Sequence, residues 1–156
     1  MKNLRMPLSL AAVFLILSMS VLASTLSIEF PFTLSVFIPC ADQGNGEVVD
    51  FSGTLHEVIS STVNGNRVHL NNLFNPQGAK GVGETTGDVW EATGETRSDL
   101  NASVSGFPFT NTFVNNFKLI NGKDHASFLV HENAHVTVNA DGTTTANQDN
   151  FTFSCK

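Results

Sequence analysis

FLVHENAHVTVNADGTTT, residues 128–145, holds two readings that lead to different proteins. His131-Glu132-Asn133-Ala134-His135 spells H-E-x-x-H, the zinc-protease string. That string works only on a helix, where residues four apart stack on one face and two imidazoles reach one ion. The flanks read as a strand. Phe128, Val130, Ala134, Val136 and Val138 take every second position, and His131, Asn133, His135, Thr137 and Asn139 alternate with them. This is the period-two pattern of a half-buried strand. Asn139-Ala140-Asp141-Gly142 signals a turn, with Asp-Gly expected to supply the positive φ angles of a tight hairpin. On a strand, His131 and His135 share a face but lie about 13 Å apart, at roughly 3.3 Å per residue. No single zinc bridges that distance. The zinc-protease reading is therefore rejected, and a β-hairpin is expected.

The same alternation runs outward in both directions. Residues 28–38 are apolar and β-rich, with Pro31 suiting an edge or a lead-in. Residues 47–63 place Val49, Phe51, Leu55, Ile59 and Val63 in one phase, with Gly53 as a bend or bulge. Asn64-Gly65-Asn66 is a hairpin signal, and Val68, Leu70, Asn72 and Phe74 lie in phase on the return. Asn75-Pro76-Gln77-Gly78 reads as a turn and residues 96–106 as a polar loop. Phe107, Phe109, Phe113, Phe117 and Leu119 alternate again, and Phe151, Phe153 and Cys155 close the chain in phase. About eight strands with short connections and no amphipathic helix predict an all-β fold. The expected architecture is an antiparallel barrel, with a two-sheet β-sandwich as the alternative. Barrel closure is preferred because it removes exposed strand edges.

Residues 1–23 read as a secretory signal peptide. Lys2 and Arg5 start it, an apolar run follows from Leu8 to Leu22, and Val21-Leu22-Ala23 offers small residues for cleavage after Ala23. A retained anchor is the alternative. Residues 24–156 then form a single β domain. Loss of Lys2 and Arg5 leaves six basic against fourteen acidic residues, a net charge of −8. With its few cations scattered, such a chain is a poor partner for nucleic acid or an anionic membrane surface. Cys40 and Cys155 are the only cysteines, and in an oxidising compartment they are expected to pair. Thirteen Phe, one Trp and no Tyr favour core packing over exposed sugar-stacking platforms.

Several motifs together resemble a group of small secreted bacterial proteins. They are Gly53-Thr54-Leu55-His56, Phe74-Asn75-Pro76-Gln77-Gly78, the glycine-rich 81–88, and Thr112-Phe113-Val114-Asn115-Asn116-Phe117. The resemblance implies export and a β fold, and it carries over no catalytic residue.

Two sets of side chains invite chemistry. Glu57, Asn72, Asn111, Asn115 and Glu132 all fall in the apolar phase of their strands. A few polar groups among Phe and Val describe a small-ligand pocket; a one-residue slip in register would expose them instead. His56, His69, His131 and His135 fall in the polar phase and are weaker candidates as metal ligands. The primary expectation is an exported, non-enzymatic module with no cofactor. It would bind a small, partly apolar ligand or another surface. An enzyme of the small-barrel cyclase or isomerase type, using Glu57 or Glu132 as acid or base, is the alternative. Metal binding through the histidine face is a third.

Overall fold

The computed structural model describes residues 22–156. They form seven long antiparallel strands in one sheet, in the order of the chain. The strands are β1 (Leu22–Ile38), β2 (Glu47–Asn64), β3 (Arg67–Gly83), β4 (Val89–Ser103), β5 (Phe109–Asn121), β6 (Ser127–Val138) and β7 (Thr144–Cys155). A single 3₁₀ turn, Asp42–Gly44, is the only helical element among the described residues. The expected signal peptide falls outside the described residues, except for Leu22 and Ala23, which open β1.

The hairpin at residues 128–145 is present. His131 and His135 lie on β6, between β5 and β7, in an extended backbone. The turn differs in detail from the expectation. Gly142 takes a positive φ of 82°, but Asp141 does not. The Asn139 N–H donates to the Thr143 carbonyl and the Gly142 N–H to the Asn139 carbonyl. This makes a three-residue loop with a glycine bulge rather than a two-residue turn. The ladder shifts by one residue just beyond it, at Thr137/Val138. Gly53 also sits where expected, at the register shift between Ser52 and Thr54.

Two expected connections are strand instead. Asn75 to Gly78 is not a turn; β3 runs through it, and the residues bulge away from β4 between Phe74 and Lys80. A proline is tolerated there because the bulge asks no ladder hydrogen bond of it. The polar run after Thr96 is not a loop. Arg97 to Ala102 pair with both neighbouring strands. Merging these segments lowers the count from about eight strands to seven.

The pairing order corrects the expected barrel, because among the described residues no ladder joins β1 to β7. The sheet is open, and neither a closed barrel nor a two-sheet sandwich forms. In an up-and-down meander of seven strands, the two edge strands run in the same direction. β1 and β7 therefore cannot complete an antiparallel ladder with each other, and each leaves a row of N–H and C=O groups unpaired.

The sheet nevertheless curls. At one end, Ile38, Val49, Phe51, Trp90, Leu119 and Phe128, drawn from five of the strands, pack into a single buried cluster. The Cys40–Cys155 disulfide ties the loop after β1 to the end of β7, as expected from the sequence. Glu47 lies buried at the same end, 3 % exposed. Its carboxylate accepts the backbone N–H groups of Thr85 (3.2 Å) and Thr86 (3.0 Å) and the Thr86 hydroxyl (2.8 Å), pinning the β3–β4 turn to β2. The opposite end splays. There Leu22, Leu26, Ile28 and Phe30, all on one face of β1, are exposed. Nearer the disulfide, Leu34 on the same face and Phe151 and Phe153 on β7 are exposed too.

Candidate functional site

Register across the whole sheet decides which predicted residues meet. One row reads Ile28, Glu57, Phe74, Thr96, Asn115, Glu132, Phe151. The next reads Leu26, Ile59, Asn72, Ser98, Phe113, Ala134, Asp149. Both rows belong to the face that carries Phe51, Trp90 and Leu119 at the disulfide end, since residues paired across a ladder and those two apart along a strand share a face. All five apolar-phase polar residues, Glu57, Asn72, Asn111, Asn115 and Glu132, thus lie on the concave side.

They do not form one cluster. Asn72 and Asn111 line a shared cleft of about 220 Å³ with Leu70, Ser98, Leu100, Phe109 and Val136. The Ser98 hydroxyl donates to Asn111 Oδ1 at 3.0 Å, whereas Asn72 Oδ1 is buried with no hydrogen-bond donor. Asn115 lies one row away, accepting the Thr96 hydroxyl at 3.0 Å. Glu57 and Glu132 share Asn115's row but sit four strands apart, about 19 Å along the sheet at 4.8 Å per strand. Each is half-buried, and neither lines the Asn72–Asn111 cleft. Ser98 and Leu100 were hidden by reading 96–106 as a loop. The signal was present, because Trp90, Ala92, Thr96, Ser98, Leu100 and Ala102 keep one phase, though with side chains too small and polar to announce a core face.

The apolar lining continues at the disulfide end. Val36, Phe37 and Pro39 face Phe128, Val130, Phe151 and Phe153 across a cleft of about 360 Å³ between the two edges of the sheet.

The four polar-phase histidines occupy the convex face, each with its own partner. His56 Nε2 meets Ser27 Oγ at 2.7 Å, and His69 Nδ1 meets Asn101 Oδ1 at 2.8 Å. His131 Nδ1 meets Asn116 Oδ1 at 2.6 Å, and His135 Nδ1 meets Thr112 Oγ1 at 3.0 Å. No three His, Cys, Asp or Glu side chains converge to hold an ion among the described residues. The same face carries Asp99. Burial pushes its carboxyl up, but the Asn71 amide and the Arg97 guanidinium outweigh burial and hold it below the ordinary aspartate value.

The fold and site together define an open, curled, all-antiparallel β-sheet, disulfide-bonded between its edges and apolar on its concave side. No protein family, characterised protein or solved structure matches the chain. Among the described residues no helix is long and apolar enough to cross a membrane.

Proposed function

We propose that this chain is an exported binding protein that holds an elongated, mostly apolar molecule on its concave face, with a hydrogen-bond donor of that molecule seated at Asn72. The observation that carries the reading is the buried, unpartnered Asn72 Oδ1 in a cleft lined chiefly by Leu70, Leu100, Phe109 and Val136. An orphaned buried acceptor costs about 1–3 kcal/mol, and a hydroxyl or amide N–H on a ligand would recover that energy. The exposed Leu26, Ile28 and Phe30 extend apolar surface along the same face, which suits a chain-like rather than a compact ligand. Export is supported by the apolar run after Lys2 and Arg5 and by the cysteine pair.

Titration with two fluorescent fatty acids, one hydroxylated along its chain and one not, tests the reading. Saturable binding is expected for both, with the hydroxylated probe tighter. Asn72→Leu should erase that difference while leaving the unsubstituted probe bound. Absence of saturable binding by either probe would sink the proposal.

A further inference from the structure

A second cavity lies at the disulfide end, and its chemistry is the opposite of the concave face. It encloses about 270 Å³ between the loop after β1, the β3–β4 turn and the β5–β6 turn. Asp42, Gln43, Asp88, Trp90, Lys123 and Asp124 line it.

Three independent features single it out. The first is Trp90. Its side chain is fully buried, yet its Nε1 has no acceptor within hydrogen-bonding distance. A buried indole N–H normally finds a partner, and besides Asn72 Oδ1 this is the other buried polar side-chain atom without one among the described residues. The second is a polar wall. Lys123 Nζ lies 3.1 Å from Asp88 Oδ1, and Asn121 Nδ2 donates to Asp88 Oδ2 at 3.3 Å. The Asn121 amide and the Lys123 ammonium hold the Asp88 carboxyl below its ordinary range. The third is backbone conformation. Asp42, Gln43 and His125 are the non-glycine residues with positive φ among the described residues, at 49°, 56° and 64°. The first two line the cavity, and His125 lies between Asp124 and Ala126, which also line it. Sparsely populated backbone conformations gather where surrounding structure fixes a site.

We infer that this cavity binds a single sugar ring or a polyol of that size. Its walls include Asp42 Oδ1 and Asp124 Oδ2, the carboxylate oxygens that accept no protein N–H, and Trp90, whose Nε1 has no acceptor. A hydroxyl group both donates and accepts, so neighbouring hydroxyls on one ring meet both demands. Lys123, the one Lys or Arg among the lining residues, is paired with Asp88, so the lining does not favour an anionic ligand. The volume falls just below the roughly 300–1,000 Å³ of drug-sized sites, which suits one ring rather than an oligosaccharide. Trp90 acts here through its N–H and not as a stacking platform, because its ring faces are buried in the core.

The sequence supplies its own reporter. Trp90 is the only tryptophan and there is no tyrosine, so both the intrinsic emission and the indole N–H resonance come from this one site. The intact disulfide-bonded protein is titrated with glucose, galactose, N-acetylglucosamine and glycerol into the millimolar range. At least one is expected to move both signals saturably, with the indole proton shifting downfield as it gains an acceptor. Asp124→Asn keeps the oxygen that accepts the Ala126 N–H at 2.9 Å, and it should weaken that binding about tenfold by removing one charge-assisted hydrogen bond. Fixed signals across the whole panel would overturn the inference, as would a response unweakened in both Asp42→Asn and Asp124→Asn. Fatty-acid titration of the concave face should leave the indole resonance in place, so each reading can fail without the other.

Discussion

Cys40 and Cys155 stand 6.0 Å apart between Cα atoms although 115 residues separate them in sequence, and their bond holds together two edges that share no ladder. It does the work that a closing pair of strands does in a barrel, at one end only. Reduction should therefore cost more than an ordinary surface cross-link. The chain-entropy account gives about 5 kcal/mol for a loop of this length. Denaturant titration with and without reductant, alongside Cys40→Ser/Cys155→Ser, measures it. Coincident midpoints would mean that the sheet keeps its curl without the bond.

Glu47 predicts a pH dependence. Burial pushes its carboxyl up, but hydrogen bonds from the backbone and hydroxyl of Thr86 and the backbone of Thr85 outweigh burial, and the group sits below its ordinary value of 4.5. A carboxyl depressed in the folded state stabilises the fold fully above the unfolded value. That stabilisation is lost as pH falls through the folded value. Glu47→Gln should cost about 1.5–3 kcal/mol near neutral pH, the range for hydrogen bonds to a charged group. The gap to the parent protein should narrow as pH falls below the ordinary value of 4.5 and close once it passes the depressed folded value. A gap that stays constant from pH 7 to pH 3 would remove Glu47 from the acid limb of stability.

Gly94 on β4 holds a φ of +132°, and a Cβ there would collide with the backbone oxygen of Asn116 on β5. Only glycine fits that approach. Gly94→Ala should destabilise by about 3 kcal/mol, combining an unfavourable backbone region with displacement of the β4–β5 ladder. Thermal unfolding followed by far-ultraviolet circular dichroism reads it, and a shift of less than a degree would contradict the geometry.

The open edges predict self-association. β7 carries one charge, Asp149, and exposes Phe151 and Phe153, without the lysines or prolines that usually blunt an edge strand. Phe151→Lys with Phe153→Lys should lower the aggregated fraction at high concentration, with some loss of melting temperature because Phe153 packs against the buried Phe128. Light scattering across a concentration series checks this, and equal scattering from the two proteins would show that the β7 edge is not sticky.

The alternation around His131 and His135 was enough to exclude a helix and set the imidazoles against the Phe and Val side chains. It worked because period two is a local property, written in each strand independently of its neighbours. The same reading put Glu57, Asn72, Asn111, Asn115 and Glu132 on the apolar side, and the register agrees. It failed at Thr96 to Ala102, where small polar residues on both faces imitate a loop and only pairing with β3 and β5 makes them strand. It failed again at Pro76, which a bulge accommodates inside β3.

By itself, then, the sequence determined an all-β chain, the face each side chain takes within its strand and the two cysteines able to pair. Tertiary structure alone decided that the sheet stays open, that Asn72 and Asn111 share a cleft while Glu57 and Glu132 stand apart, and that Trp90 is buried without a partner beside a polar cavity. Closure depends on whether the two edge strands come within hydrogen-bonding reach of each other, and proximity across a sheet depends on register accumulated over several ladders. Neither quantity is carried by any single stretch of the chain.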